Sequence, residues 1–176
     1  MKKRIIQVFS WLTTLWILKV FLSSLPYKFT SHPDTQHIFG TIGQWMQGAL
    51  GKSIGEWFIQ YGAYAVGTAE LLISILLLSS VVLFIKTKVS GSSGKITQSL
   101  IHCIGGLAAS GVMFGAAFFH LATPLGIEVL HQGKSDGGSL FYAAVSILIL
   151  GLVMAIANFS LLNEEWKEEK SARATV

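Results

Sequence analysis

Residues 57–85, WFIQYGAYAVGTAELLISILLLSSVVLFI, run for 29 residues with a single charged side chain, Glu70. About 20 apolar residues suffice for a helix to cross the ~30 Å hydrocarbon core of a bilayer. Backbone groups in hydrocarbon must bond within the protein, so a spanning segment is a helix or part of a closed barrel. Barrel strands read as alternating segments of about ten residues, and this run is too long and too uniformly apolar for that. Working outward, residues 5–25, 99–123 and 140–162 have the same character. The expected fold is therefore all-α: an integral membrane four-helix bundle forming one domain over residues 1–176, with residues 163–176 as a tail.

The composition agrees. Apolar residues make up 52% of the chain and charged residues 12%, against about 25% charged in soluble domains. A soluble domain lacks the charge to cover its surface with this composition, and a disordered chain needs the opposite balance. The lone Cys103 excludes a disulfide scaffold.

Four spans put both termini on one side. Lys2, Lys3, Arg4, Lys86, Lys88, Lys95, Lys167, Lys170 and Arg173 belong to that side, and Lys28, Lys52 and Lys134 to the other. Nine against three, with Lys19 inside a span, predicts cytoplasmic termini. The N-terminal MKKR and its apolar run resemble a signal peptide. The run is too long, Lys19 interrupts it and no A-x-A site follows, so it reads as a retained first helix.

The first outer loop is the longest. Pro26 and Pro33 argue against one continuous helix through it. Asp34 is the expected N-cap of a short helix over residues 34–50, because Ile38, Ile42, Trp45, Met46 and Ala49 share one face. This amphipathic helix is too short to span. Two readings stay open: an interfacial helix on the outer surface, or a lid over a cavity between the spans. The loop KTKVSGSSGK at 86–95 reads as a flexible connector, and HQGKSDGG at 131–138 carries turn chemistry. The tail NEEWKEEKSAR continues the last helix as a solvated face.

A charge near the bilayer centre costs about 2.5–3.5 kcal/mol on insertion scales. Lys19 and Glu70 are such charges. Counted along their helices from the outer side, they lie roughly 9 Å and roughly 13 Å deep, which makes a Lys19–Glu70 pair the leading structural expectation. The alternatives are a Lys19 that snorkels to the interface and a protonated Glu70 hydrogen-bonded inside the bundle. Gln60, Ala63, Gly67, Glu70 and Ser74 share the face expected to turn inward, while Leu72, Ile75, Leu76 and Leu83 can meet lipid. On the third span His102 and His120 share a face with Gly105, Gly106, Ala109, Met113 and Ala116, and Gly111 and Gly115 form a separate G-x-x-x-G that suggests close helix packing. His120 stands near the outer interface, where it either joins the Lys19–Glu70 pair or bonds to backbone or water. His102 reads as structural. Tyr142 is a belt residue or a pocket residue.

No C-x-x-C, H-E-x-x-H, Walker A or dinucleotide motif occurs, so the chain itself supplies no cofactor site. His102 and His120 stand roughly 27 Å apart on one helix, too far apart to ligate one haem. The net charge of +4 reflects topology and anionic lipid rather than nucleic acid.

Five segments carry a resemblance: LKVFLSSLPYKF at 18–29, FGTIGQW at 39–45, IGE at 54–56, GTAELLISILLL at 67–78 and FGAAFFHL at 114–121. Across residues 8–123 the chain resembles the DoxX-like group of four-span membrane proteins, with Glu70 on the acidic position of the G-x-x-E-L segment. The resemblance implies a four-helix membrane bundle in a bacterial inner membrane. It does not imply one activity: some members are associated with quinone-linked sulfur oxidation or membrane oxidoreductase complexes, and distant relatives with assembly or trafficking of other membrane proteins.

The first expectation is thus a non-catalytic accessory subunit of a membrane complex, one linked to quinone oxidoreduction by the resemblance, with a membrane-protein partner or a second copy of itself. The alternative is an outer-half pocket formed by Lys19, Glu70, His120 and Tyr142 and lidded by residues 36–50, binding a quinone, lipid or anion. A proton-coupled transporter using the same groups is a third reading, and four spans would then call for a dimer. Charges within about 4 Å of one another beside an open cavity would favour a site; a packed pair without a cavity would favour a structural role.

Overall fold

The computed structural model describes residues 1–90 and 97–174, with side chains described except at 88, 90, 168, 169 and 171–174. Half of the 86–95 connector, residues 91–95, therefore lies outside the described residues, and residues 86–90 continue α3 rather than forming a loop. Five helices follow in order: α1 (Lys2–Phe29), α2 (Pro33–Leu50), α3 (Lys52–Ser90), α4 (Gln98–Ala122) and α5 (Ser139–Ala174), with a small hairpin of β1 (Leu130–His131) and β2 (Lys134–Ser135) before α5. α1, α3, α4 and α5 are each long and apolar enough to cross a membrane. The chain is an integral membrane protein built as an all-α bundle.

The inward faces follow their sequences except at Gln60 of α3, expected inside, which is exposed near the outer end of the helix. Gly67, Glu70 and Ser74 of α3 are buried, whereas Leu72 and Ile75 are exposed. On α4 the buried stripe runs His102, Gly105, Gly106, Ala109, Met113, His120. The bundle core joins Ile17 and Phe21 of α1, Leu77 of α3, Ala109 and Met113 of α4 and Ile147 and Met154 of α5. Polar side chains link helices within it: Asn158 Nδ2 donates to Ser10 Oγ at 2.7 Å, Trp16 Nε1 to Ser146 Oγ at 2.9 Å and Ser110 Oγ to the Leu148 carbonyl at 3.0 Å. At the end carrying the termini, Lys2 and Lys3 pair with Glu164 and Glu165 of α5. His102 packs edge-on against Trp11, 5.2 Å between centroids, and Cys103 is half-buried.

Three local expectations are corrected. α1 passes through Pro26 and gains a final turn to Phe29. A proline this close to a helix end interrupts few i→i−4 bonds, and the Thr30 N–H closes the turn on the Pro26 carbonyl at 3.1 Å. α2 is capped by His32 rather than Asp34: His32 Nδ1 accepts the Asp34 N–H at 3.3 Å, and Pro33 occupies the first helical position, where its missing N–H costs nothing. α3 begins at Lys52, a turn earlier than its apolar run. Only Gly51 separates α2 from α3, and it does so at φ +102°, a conformation that side chains with a Cβ rarely adopt.

α2 therefore doubles back on the first turns of α3 as a helical hairpin. The backbones touch where Gly43 faces Gly55; a Cβ on Gly43 would lie 2.9 Å from the Gly55 carbonyl oxygen. Ile42 and Met46 of α2 form a second apolar cluster with Leu125 and Val129 of the α4–α5 loop. In that loop Gln132 and Gly133 both have positive φ, as a two-residue hairpin turn of this kind requires. Asp136 then accepts N–H groups from Val129 (2.7 Å), Gly138 (3.0 Å) and Leu140 (3.0 Å), which starts α5. Burial alone would raise the Asp136 carboxyl, and these backbone bonds hold it below the ordinary range.

Candidate functional site

A cavity of about 680 Å³ lies between the two apolar clusters, bounded by Met113 and Ala144 of the bundle core and by Ile42 and Leu125 of the second. Its walls come from α1, α3, α4 and α5 and its roof from Ile38, Phe39 and Ile42 of α2. The volume is within the range of small-molecule pockets, about 300–1,000 Å³. α2 borders the cavity through Asp34, Thr35, Ile38, Phe39 and Ile42; on its apolar face Ile42 and Met46 are buried, Ile38 and Trp45 half-buried and Ala49 exposed.

Most of the lining is apolar, and one ion pair interrupts it. Lys28 Nζ lies 2.7 Å from Glu70 Oε2. Ser24 Oγ donates to the same carboxylate oxygen at 2.7 Å and accepts from Lys28 at 2.9 Å. Glu70 is 2% exposed. The cation that meets Glu70 is therefore Lys28 and not Lys19. Lys19 is exposed and sits over the Trp16 ring, 5.2 Å from its centroid. The reason is register. Gly67 of α3 packs on Lys28 and Phe29, where a Cβ would lie within 3.4 Å of both side chains, so the end of α1 is level with Glu70. Lys28 reaches the site on the turn added beyond Pro26, which also sets it four residues from Ser24 on the same face. A loop beginning at Pro26, as the sequence suggests, conceals it.

His120 also lines the cavity and is 7% exposed. Its Nδ1 lies 2.7 Å from the Gly126 carbonyl oxygen. That partner only accepts, so Nδ1 carries the proton and, in the neutral ring, Nε2 is left as an acceptor. Tyr142 is 62% exposed, packs on Phe141 and Gly138, and is not part of the lining. It points away from the site because Ala143 and Ala144 occupy the α5 face that lines the cavity.

The glycines of α4 divide by role. A Cβ on Gly105 would meet Leu77, and one on Gly106 would lie 2.6 Å from the Gly151 carbonyl oxygen. Gly111 and Gly115 have no neighbour within 4 Å of where a Cβ would stand, and both line the cavity. Among the described residues no helix packs on the G-x-x-x-G pair, and both glycines border the cavity.

The lid is fastened from outside by a polar latch. His131 Nδ1 donates to Asp34 Oδ1 at 2.7 Å, and the His131 ring stacks on His37, 4.6 Å between centroids. This bond holds the Asp34 carboxyl below the ordinary carboxylate range. A carboxyl with a lowered folded-state pKa stabilises the fold fully above its unfolded value of about 3.9, and that contribution is lost as pH falls through the lowered value. Unfolding midpoints of the wild type and Asp34→Asn are therefore expected to separate above about pH 4 and converge in stronger acid. Coincident midpoints at neutral pH would show that the bond latches nothing.

No protein-family model, curated protein or solved structure matches the chain. Fold and site together define a membrane-embedded helical bundle with a lidded apolar cavity and one buried charge pair in its wall.

Proposed function

We propose that the chain is a membrane-embedded binding protein for a small, mainly apolar molecule held beneath α2. The observation that carries the reading is the Lys28–Glu70 pair, 2.7 Å apart and set in the wall of an otherwise apolar cavity of about 680 Å³. A buried pair serving the fold alone would be packed on every side. The Lys/Arg bias assigns the termini to the cytoplasm, so the cavity occupies the outer half of the bundle. With the resemblance to DoxX-like proteins, this assigns the chain to a bacterial inner membrane.

The test is extraction from the native membrane in mild detergent, with mass spectrometry of what copurifies. A small molecule in near-stoichiometric amount is expected with the wild type. It should be lost from a Gly111→Phe/Gly115→Phe double variant, where a Cβ meets nothing within 4 Å at either position and whose unfolding midpoint, measured alongside, shows that the fold is retained. Equal recovery from both proteins, or none from the wild type, defeats the reading. A stoichiometric protein partner with no small molecule would favour the accessory-subunit role instead.

A further inference from the structure

We propose that the cavity selects an uncharged ligand whose polar head is a hydroxyl, an alcohol or phenol on an apolar body, and that it rejects anionic head groups. This deepens the binding reading above and rests on it.

The charge inventory comes first. The formally charged residues lining the cavity are Lys28, Asp34 and Glu70, one base against two acids. Lys28 is already engaged, by Glu70 at 2.7 Å and Ser24 at 2.9 Å. Among the described residues lining the cavity, no unpaired Lys or Arg awaits an anion. A phosphate or carboxylate head would arrive beside the Glu70 carboxylate and would have to draw Lys28 away from it, leaving a buried charge uncompensated.

The hydrogen-bond inventory comes second. Glu70 Oε2 accepts two bonds, whereas Oε1 accepts none from any described residue. His120 bonds through Nδ1, and Nε2 has no partner among the described residues. Both side chains are more than nine-tenths buried, yet the two atoms keep accessible surface, since the fully covered side-chain N and O atoms without a partner among the described residues are His102 Nε2 and Glu165 Oε2; a ligand or water can therefore reach and satisfy them. Glu70 Oε1 is an acceptor, and so is His120 Nε2 in the neutral ring, so the two vacancies call for a donor. An ether, ester or ketone head offers only acceptors and leaves both unmet. A hydroxyl donates to one of them and also offers a lone pair to the remaining Lys28 proton, which an ammonium head cannot do. The hydroxyls of Tyr27 and Thr35 at the lining can serve as donor or acceptor and do not change the balance. The apolar body is met by Val112, Met113 and Ala116 and by the open face of Gly111 and Gly115.

The experiment uses the full chain in phosphatidylcholine nanodiscs and three radiolabelled probes with one alkyl chain: 4-dodecylphenol, its methyl ether and dodecyl phosphate. Saturable binding is taken as the excess over the Gly111→Phe/Gly115→Phe variant. The phenol is expected to bind at least about 10-fold more tightly than the ether, the loss attached to one hydrogen bond to a charged acceptor, and more tightly than the phosphate. Ether and phenol binding alike, or phosphate binding best, overturns the hydroxyl selectivity and leaves the binding reading standing. No saturable binding of any probe defeats both.

Discussion

Glu70→Ala is expected to destabilise the bundle by about 3–5 kcal/mol, the cost of removing one partner from a buried ion pair. Among the described residues the carboxylate is the only anion bonded to Lys28, whose side chain is 15% exposed. Without it the ammonium is left in a mainly apolar wall with Ser24 as its remaining partner. The asymmetry gives a sharper signature than the loss itself. Lys28→Met/Glu70→Ala removes both charges and should recover most of the stability, because the cost arises from the orphaned charge. Glu70→Gln retains an oxygen for Ser24 and should fall between the wild type and Glu70→Ala. Unfolding midpoints in a fixed detergent read all three. A Glu70→Ala protein as stable as the wild type would mean that the pair is solvated and does not occupy the buried position described.

Gly106→Val on α4 is the second large effect. A Cβ at Gly106 would stand 2.6 Å from the Gly151 carbonyl oxygen and 3.0 Å from Met154 Cε, and the contact is reciprocal, since a Cβ on Gly151 would stand 2.8 Å from the Gly106 carbonyl oxygen. The obstacle is backbone on both sides, so a rotamer change cannot relieve it. The helices must separate, which breaks the bond from Ser110 Oγ to the Leu148 carbonyl. Overpacking typically costs about 1–3 kcal/mol, and more where backbone must move. Gly111→Ala, little more than one turn further on the same helix, is the control. Its Cβ meets nothing within 4 Å, and exchanging glycine for alanine inside a helix favours the helix by roughly 0.5–1 kcal/mol. Equal destabilisation by both substitutions would contradict the division of the α4 glycines into packing and cavity positions.

Neither the partner of Glu70 nor the role of the glycines is evident along the chain. Glu70 stands out because one carboxylate interrupts a long apolar run, and its neighbours Gly67 and Ser74 mark the inward face. Lys28 carries no such signal. It follows a proline, where a helix is expected to have ended, and it counts among the positive residues of a loop. Lys19 is conspicuous only because it lies within a span, yet it ends on the outside of the bundle over Trp16. Gly106 and Gly111 are alike as residues; what differs is that α5 crosses at one and a cavity opens at the other. Tyr142 and His120 both stand near helix ends, and only the packing of α5 separates the one that stays exposed from the one that lines the site.

By itself the sequence determined the class of protein, the four long helices, the inward faces of α3 and α4, and Glu70 and His120 as unusual residues. These follow from length, hydropathy and periodicity, which belong to each segment regardless of its neighbours. Tertiary structure alone decided that Lys28 meets Glu70, that α2 closes over a cavity, and that Gly111 and Gly115 face empty space. Each of these depends on the register of one helix against another. That register is set by the extra turn of α1 beyond Pro26, by the reversal at Gly51 and by the backbone contacts at Gly43–Gly55 and Gly106–Gly151, where two helices can approach only because no Cβ stands between them.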